Sequence, residues 1–223
     1  MSYYPVFLEL SGRKAVVIGG GAVAQRKIDT LLEHGAAVHV ISKDLTPELQ
    51  VRLKNGDIRL VSSEFDERYI EDAFMVIAAT NDKVLNQRVS EAAKGRNILV
   101  NAVDQPEACS FIVPSIIKRG DLLIAVSTSG KSPALAKRIG ETLSARFGKE
   151  YAYFLNIMAR IRKQLLSEDV PEGERGRIFH ELVDSSILNS IRKENFLGVA
   201  SELERILRRK FSPDDVLEYM KEE

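Results

Sequence analysis

Three consecutive glycines, Gly19-Gly20-Gly21, stand between a β-branched run and an amphipathic repeat, and this junction constrains the fold more than any other stretch. Ala15 to Ile18 is apolar, bounded by Arg13-Lys14 and the glycines, and reads as a buried strand. Ala24, Ile28, Leu31 and Leu32 then recur at helical spacing, with Gln25, Arg26, Lys27 and Asp29 elsewhere on the wheel and Gly35 closing the helix. A second β-branched run, Val38 to Ile41, follows at once. The order strand, helix, strand over Ala15 to Ile41 predicts a βαβ unit.

Within that unit Gly19-x-Gly21-x-x-Ala24 matches the dinucleotide fingerprint, with Ala in the third place. Gly19 permits the tight turn, Gly21 lets backbone approach a pyrophosphate, and Ala24 lets helix and strand pack closely. Backbone N–H groups and the positive end of the helix hold the phosphates, so no basic side chain is required. The acidic residue that usually binds the ribose, about 20 residues on, is replaced by Ser42-Lys43-Asp44. Asp44 serves the ribose in one reading and Lys43 a 2′-phosphate in the other, so the pattern leaves NAD and NADP open.

A chain of 223 residues with 32 basic and 32 acidic side chains has no net charge, which argues against a general nucleic-acid or anionic-membrane partner. Cys109 is the only cysteine, and no Cys/His cluster is spaced to hold a metal such as zinc. The amino terminus lacks a signal-peptide pattern and no run approaches a membrane span, so the expected location is the cytoplasm. Val6 to Leu10 reads as a short strand or extended arm.

Further strands are expected at Ile58 to Val61, Met75 to Ala79, Ile98 to Ala102, Phe111 to Val113 and Leu122 to Val126. Between the first two βα units, Thr46-Pro47 starts a helix that runs to Leu53. Thr80-Asn81-Asp82 ends the fully apolar fourth strand and opens a helix to Gly95. It would lie beside a cofactor, with Asn81 or Asp82 also serving as N-cap. Asp104 ends the fifth strand, where a desolvated carboxylate suits proton transfer; it equally suits a turn before Pro106. Gly130-Lys131-Ser132 matches the tail of an ATP-binding loop, but the leading glycine is missing at Ala125. Ser132-Pro133 is instead a helix start, with an apolar stripe through Leu135, Ile139, Leu143 and Phe147, while Lys131, Lys137 and Arg138 line its beginning. From Tyr151 onward the pattern is helical, with a stripe of Phe154, Leu155, Met158, Ile161 and Leu165, helices over Ile178 to Phe196 and Val199 to Lys210, and a last one capped at Ser212-Pro213-Asp214-Asp215. His34, His39 and His180 are scattered and read as structural.

The fold class is therefore α/β: a dinucleotide-binding Rossmann-type parallel sheet over residues 1–113, a mixed segment over 114–150 and an all-helical domain over 151–223. Several stretches together resemble the precorrin-2 dehydrogenase, or siroheme synthase amino-terminal, family. They are Pro5-Val6-Phe7-Leu8, the glycine turn with Val23-Ala24 and Arg26-Lys27, Ala78-Ala79-Thr80-Asn81-Asp82, Asn86-Gln87, Asn101-Ala102-Val103-Asp104, Ser110 to Pro114 and Ser127 to Ala134. They run in family order to about Phe147.

The resemblance implies NAD-dependent oxidation of precorrin-2 to sirohydrochlorin, a homodimer formed by the mixed segment, and a tetrapyrrole cleft between domains. It places the functional carboxylate on Asp104 and the cofactor contacts on Gly19, Gly21, Ala22, Val23, Lys43, Asp44, Thr80 and Asn81. Substrate contacts fall on Ser110, Lys118, Arg119, Thr128, Lys131 and Arg138; Thr128 stands where many relatives have serine. Contact at Lys43-Asp44 favours NAD. Two alternatives stand beside this expectation: a dehydrogenase that also inserts ferrous iron, and a module that senses NAD(H) without turnover.

Overall fold

The computed structural model describes residues 3–222, which divide into two compact units with the boundary between Val113 and Pro114. In the first unit β1 (Lys14–Ile18), β2 (Ala37–Ile41), β3 (Ile58–Ser62), β4 (Met75–Ala78) and β5 (Leu99–Ala102) form one sheet in the order β3-β2-β1-β4-β5. Every pairing is parallel, and Ile18 aligns with Ile41 on one side and Ala78 on the other.

Because β1 is central, both of its faces are covered, which is why Ala15 to Ile18 are all apolar and buried. Ala15 and Val17 pack with Ala24, Ile28 and Leu31 of α1 (Ala22–Glu33) and Leu49 of α2 (Pro47–Asn55). Val16 and Ile18 point the other way, to Val89, Ala92 and Ala93 of α3 (Lys83–Lys94). The chain turns back across the sheet between β1 and β4, so the loops after these neighbours diverge. The carboxyl edge there is the place where open parallel sheets receive ligands. Local signals set the helix starts: the Thr46 hydroxyl accepts the Leu49 N–H at 3.3 Å, with Pro47 in the first turn.

The second unit opens with an antiparallel hairpin, β6 (Ser115–Arg119) and β7 (Leu122–Val126), turning at Gly120 with φ 57°. It continues through α4 (Pro133–Arg146), α5 (Glu150–Ser167), α6 (Glu172–Asp184), α7 (Ile187–Arg192), α8 (Phe196–Leu207) and α9 (Pro213–Tyr219). Its core is the α5 stripe Phe154, Ile157, Ile161 and Leu165 packed on Leu182, Ile187, Val199, Leu203 and Val216. At α9 the Ser212 hydroxyl accepts the Asp215 N–H while the Asp215 carboxylate accepts from the Ser212 backbone, a reciprocal cap.

Three expectations are corrected. Phe111 to Val113 is not a strand; the strand begins after Pro114. The Phe111 carbonyl is taken by the Asn101 side chain at 3.1 Å, and Pro114 has no N–H to extend a ladder. Of the two forms expected for Val6 to Leu10, the arm is found: Val6 to Glu9 are exposed and Leu10 packs against the core. The helix expected over Ile178 to Phe196 breaks at Ser185, whose extended backbone and hydroxyl bond to the Leu182 carbonyl end α6. On α4 the expected stripe is not the buried face. Ala136 and Gly140 are buried, because a Cβ at Gly140 would overlap the Ser115 hydroxyl, while Leu135 and Ile139 are exposed.

Glu150 pins α5 to α7. Its carboxylate is buried and accepts from Arg192 Nε at 3.1 Å and a terminal guanidinium nitrogen at 2.6 Å. Burial, the largest single influence, pushes the carboxyl pKa up, but the Arg192 hydrogen bonds, the Glu150 and Gly148 N–H groups and the Arg192 charge together hold it below the ordinary value. Folding lowers this pKa, so the stabilisation is complete above the ordinary carboxylate pKa, about 4.3, and is lost as the pH falls below it. Glu150→Gln is expected to lower the melting temperature at pH 7 by roughly 3–6 °C, from about 1.5 kcal/mol for a charged hydrogen bond at about 2–4 °C per kcal/mol in a chain of this size. The difference from wild type should shrink when melting is repeated near pH 4; a difference independent of pH would contradict the assignment.

Candidate active site

The carboxyl edge of the sheet begins at Gly19, which has φ 118° and sits so close to β4 that a Cβ would overlap the Ala79 carbonyl. Gly20, the unassigned middle residue of the fingerprint, is equally constrained. A Cβ there would overlap the Asp44 carbonyl and crowd the Ser42 hydroxyl, and its own carbonyl accepts the Thr46 N–H at 3.0 Å. Gly21 differs: its φ of −83° suits any residue, and a Cβ would meet nothing within 4 Å. The side open at Gly21 is the first turn of α1. Gly21 is the N-cap and supplies no side-chain acceptor, so the first N–H groups, including those of Ala22 and Val23, are left for another partner. Buried Ala24 completes the helix–strand contact. This donor set fits a pyrophosphate.

Beside the turn, Lys43 and Asp44 are exposed at the end of β2, and Lys43 Nζ lies 3.3 Å from the Glu64 carboxylate. After β4, Thr80 is half-buried and held by Asn86, while Asn81 is exposed and caps nothing. Asp82 is the cap, accepting the Val84 and Leu85 N–H groups at 2.9 and 3.0 Å. After β5 comes Asp104, in a left-handed conformation at φ 59°. The desolvated setting expected for Asp104 is not found; it lies in the turn beyond the end of β5 and is exposed. Within the same unit, burial first and then the neighbouring Arg26 charge push the Lys27 pKa down, against a smaller opposing effect of Cys109. His39 lies on β2, its pKa lowered by burial and then by Lys14 and Arg59, and His34 bonds the Thr30 carbonyl, so neither is at the edge.

The residues expected to meet substrate fall into distinct roles. The Ser110 hydroxyl accepts the Val100 N–H at 2.8 Å and completes the free edge of β5. Arg119 is fully engaged: Nε donates to the Phe147 carbonyl at 2.9 Å, and its terminal nitrogens donate to Ser144 and the Lys118 carbonyl. It closes the end of α4 rather than offering a free cation. The Thr128 hydroxyl accepts the Ser132 N–H at 3.1 Å. Lys118, Lys131 and Arg138 are exposed and have no carboxylate partner among the described residues. Among those residues no group of three or more His, Cys, Asp or Glu side chains is gathered to share a metal ion, and no helix is long and apolar enough to cross a membrane.

Comparison with known proteins adds to this geometry. Residues 6–115 match a family described as "Putative NAD(P)-binding", and residues 119–145 one described as "Sirohaem biosynthesis protein central". The siroheme synthase of Photorhabdus laumondii subsp. laumondii is 42% identical over 165 residues, 74% of this chain and 35% of that protein. Siroheme synthase 2 of Klebsiella pneumoniae subsp. pneumoniae is 38% identical over 212 residues, 93% of this chain and 46% of that protein. The solved structure of SirC, a precorrin-2 dehydrogenase, superposes with a TM-score of 0.77 at 28% identity, covering 93% of this chain and 100% of that one. The chain belongs to the precorrin-2 dehydrogenase and siroheme synthase amino-terminal family. It spans less than half the length of the siroheme synthases it matches. The first unit is the family's dinucleotide-binding part, and the hairpin with α4 carries the siroheme-specific match.

Sequence reasoning gave no individual role to Gly20, to Asn86 or to Gln105, the buried polar residue after Asp104. The signal for Asn86 was present: with Ser90 it stands four residues apart on the stripe that also carries Val89 and Ala93, where polar residues are out of place. Gly21→Ala is expected to leave the melting temperature unchanged yet weaken NADH binding, read by fluorescence titration, by roughly ten-fold or more, since a methyl group would occupy the space of the pyrophosphate. Unchanged affinity would show that the turn does not meet the cofactor. Asp82→Ala is expected to cost about 1 kcal/mol of stability by urea unfolding, with Asn81→Ala close to neutral.

Proposed function

We propose that this protein is an NAD-dependent precorrin-2 dehydrogenase that forms sirohydrochlorin. The observation that carries the reading is the shared carboxyl edge: the open glycine turn after β1, Thr80 after β4 and Asp104 after β5 stand at the ends of neighbouring strands of one sheet. The names of the relatives support the substrate class. The pairing of Lys43 with Glu64 supports NAD over NADP, because that ammonium already faces a carboxylate rather than a vacant phosphate position.

Bound NAD supplies the hydride acceptor for the oxidation. The chain supplies a base for the accompanying proton, and Asp104 is the exposed carboxylate after β5. Substrate carboxylates need cations, and Lys118, Lys131 and Arg138 are among those of the hairpin and α4 region that have no partner among the described residues; Arg119 is not available. Asp104→Asn is expected to lower kcat by about 100-fold or more while leaving the affinity for NAD close to wild type. Full activity in that variant would remove Asp104 from the chemistry.

The second unit supports a homodimer. β6 and β7 form a sheet of only two strands with unpaired edges, and Ile116, Leu135 and Ile139 stand exposed beside them. Covering these residues with a second copy buries the stripe that α4 does not use internally. The single cysteine and balanced charge suit the cytoplasm, where we place the enzyme. Leu135→Glu combined with Ile139→Lys is expected to give a monomer by light scattering with unchanged helical circular dichroism; a dimer of wild-type mass would place the interface elsewhere.

A further inference from the structure

The loops after β4 and β5 lie at the ends of adjacent strands, and buried polar side chains hold both of them. Asn86 spends its whole amide on Thr80: Oδ1 accepts the Thr80 N–H at 3.3 Å and hydroxyl at 2.8 Å, and Nδ2 donates to the Thr80 carbonyl at 3.0 Å. One turn on, the Ser90 hydroxyl donates to the Ala108 carbonyl. These groups are satisfied. Gln105 is not. It is 9% exposed, its Nε2 donates to the Lys83 carbonyl at 3.0 Å, and its Oε1 is buried with no hydrogen-bond partner among the described residues.

A buried amide oxygen without a partner opposes folding, and an unbranched apolar side chain of the same length would avoid the penalty. Stability alone therefore does not account for glutamine here. The bond it does make runs from the residue after Asp104 to the first residue of α3. Asp104 occupies a left-handed conformation, which is strained for a residue with a Cβ, and its own carboxylate makes no hydrogen bond or ion pair among the described residues. The turn is thus held by its neighbours: on one side the Val103 N–H donates to the Ala78 carbonyl at 2.9 Å, and on the other Gln105 reaches Lys83.

We propose that Gln105 is a positioning residue, whose bond to the Lys83 carbonyl fixes the Asp104 turn against the loop that carries Thr80. The proposal rests on Asp104 acting as the base. Gln105 touches neither substrate nor cofactor in this role; it sets where the carboxylate stands relative to the cofactor edge, a placement on which proton transfer depends steeply.

The test uses the full chain with Gln105→Met, an apolar side chain of similar length, and Gln105→Asn, which keeps the amide but is too short to reach Lys83. For Gln105→Met the expected results are a melting temperature equal to or above wild type, NAD affinity close to wild type, and kcat for precorrin-2 oxidation lowered by roughly ten-fold with little change in KM. Amide hydrogen exchange of the peptide spanning Val103 to Cys109 should be faster than in wild type, while the α1 peptide is unchanged. Gln105→Asn should lose kcat and exchange protection in the same way. Retained kcat together with unchanged exchange in both variants would overturn the proposal. So would a fall in melting temperature at unchanged kcat, which would assign Gln105 to the fold alone. Wild-type turnover is the control that separates the two readings: its absence strikes the dehydrogenase assignment, whereas the exchange comparison still decides whether Gln105 holds the turn.

Discussion

Two backbone contacts, Gly19 against the Ala79 carbonyl and Gly20 against the Asp44 carbonyl, bring the turn after β1 within side-chain-free distance of the segments that follow β4 and β2. Everything at the carboxyl edge depends on that closeness. It fixes the direction in which α1 leaves the sheet, and so the direction in which its uncapped N–H groups point. It also explains a division of labour inside the glycine run: the first two residues lack side chains for the protein's own packing, and the third leaves room for a ligand. The sheet supplies the rest of the frame, since parallel register brings Ile18, Ile41, Ala78 and Ala102 level with one another.

α3 carries this frame outward from the strands to the chemistry. One of its faces is a conventional apolar stripe under the sheet, yet Asn86 and Ser90 interrupt it with side chains that reach backbone on the loops above. Asp82 starts the helix and Gln105 ties that start to the following strand's turn. The two loops are therefore extensions of one helix rather than independent segments, and a base carried on one of them inherits the rigidity of the core.

Periodicity made most of the first unit legible. All five of its strands, the cap at Thr46 and the fingerprint could be read, as could the Ser212 cap in the second unit, because each depends on residues close in sequence. What escaped depends on distant partners. Phe111 to Val113 has the composition of a strand, but its backbone is claimed by Asn101. α4 carries a helical stripe of which Leu135 and Ile139 face outward, because small Ala136 and Gly140 let it approach the hairpin more closely. The same limit applied to the site. The positions of Gly19, Gly21 and Asp104 at the ends of strands could be read from motif and strand pattern, whereas the commitment of Arg119 to the end of α4 and the exposure of Asp104 follow from tertiary contacts and turn geometry.

The central claim is that one sheet edge unites a dinucleotide with a base acting on a reduced tetrapyrrole. Anaerobic incubation of the purified protein with freshly generated precorrin-2 and NAD tests it most directly, following NADH and sirohydrochlorin by their absorbance. The account predicts that both rise together in equal amounts and that neither forms without the protein. NAD(H) binding with no NADH formation, under conditions where a known precorrin-2 dehydrogenase turns over, would contradict it and leave a dinucleotide-binding module without this chemistry.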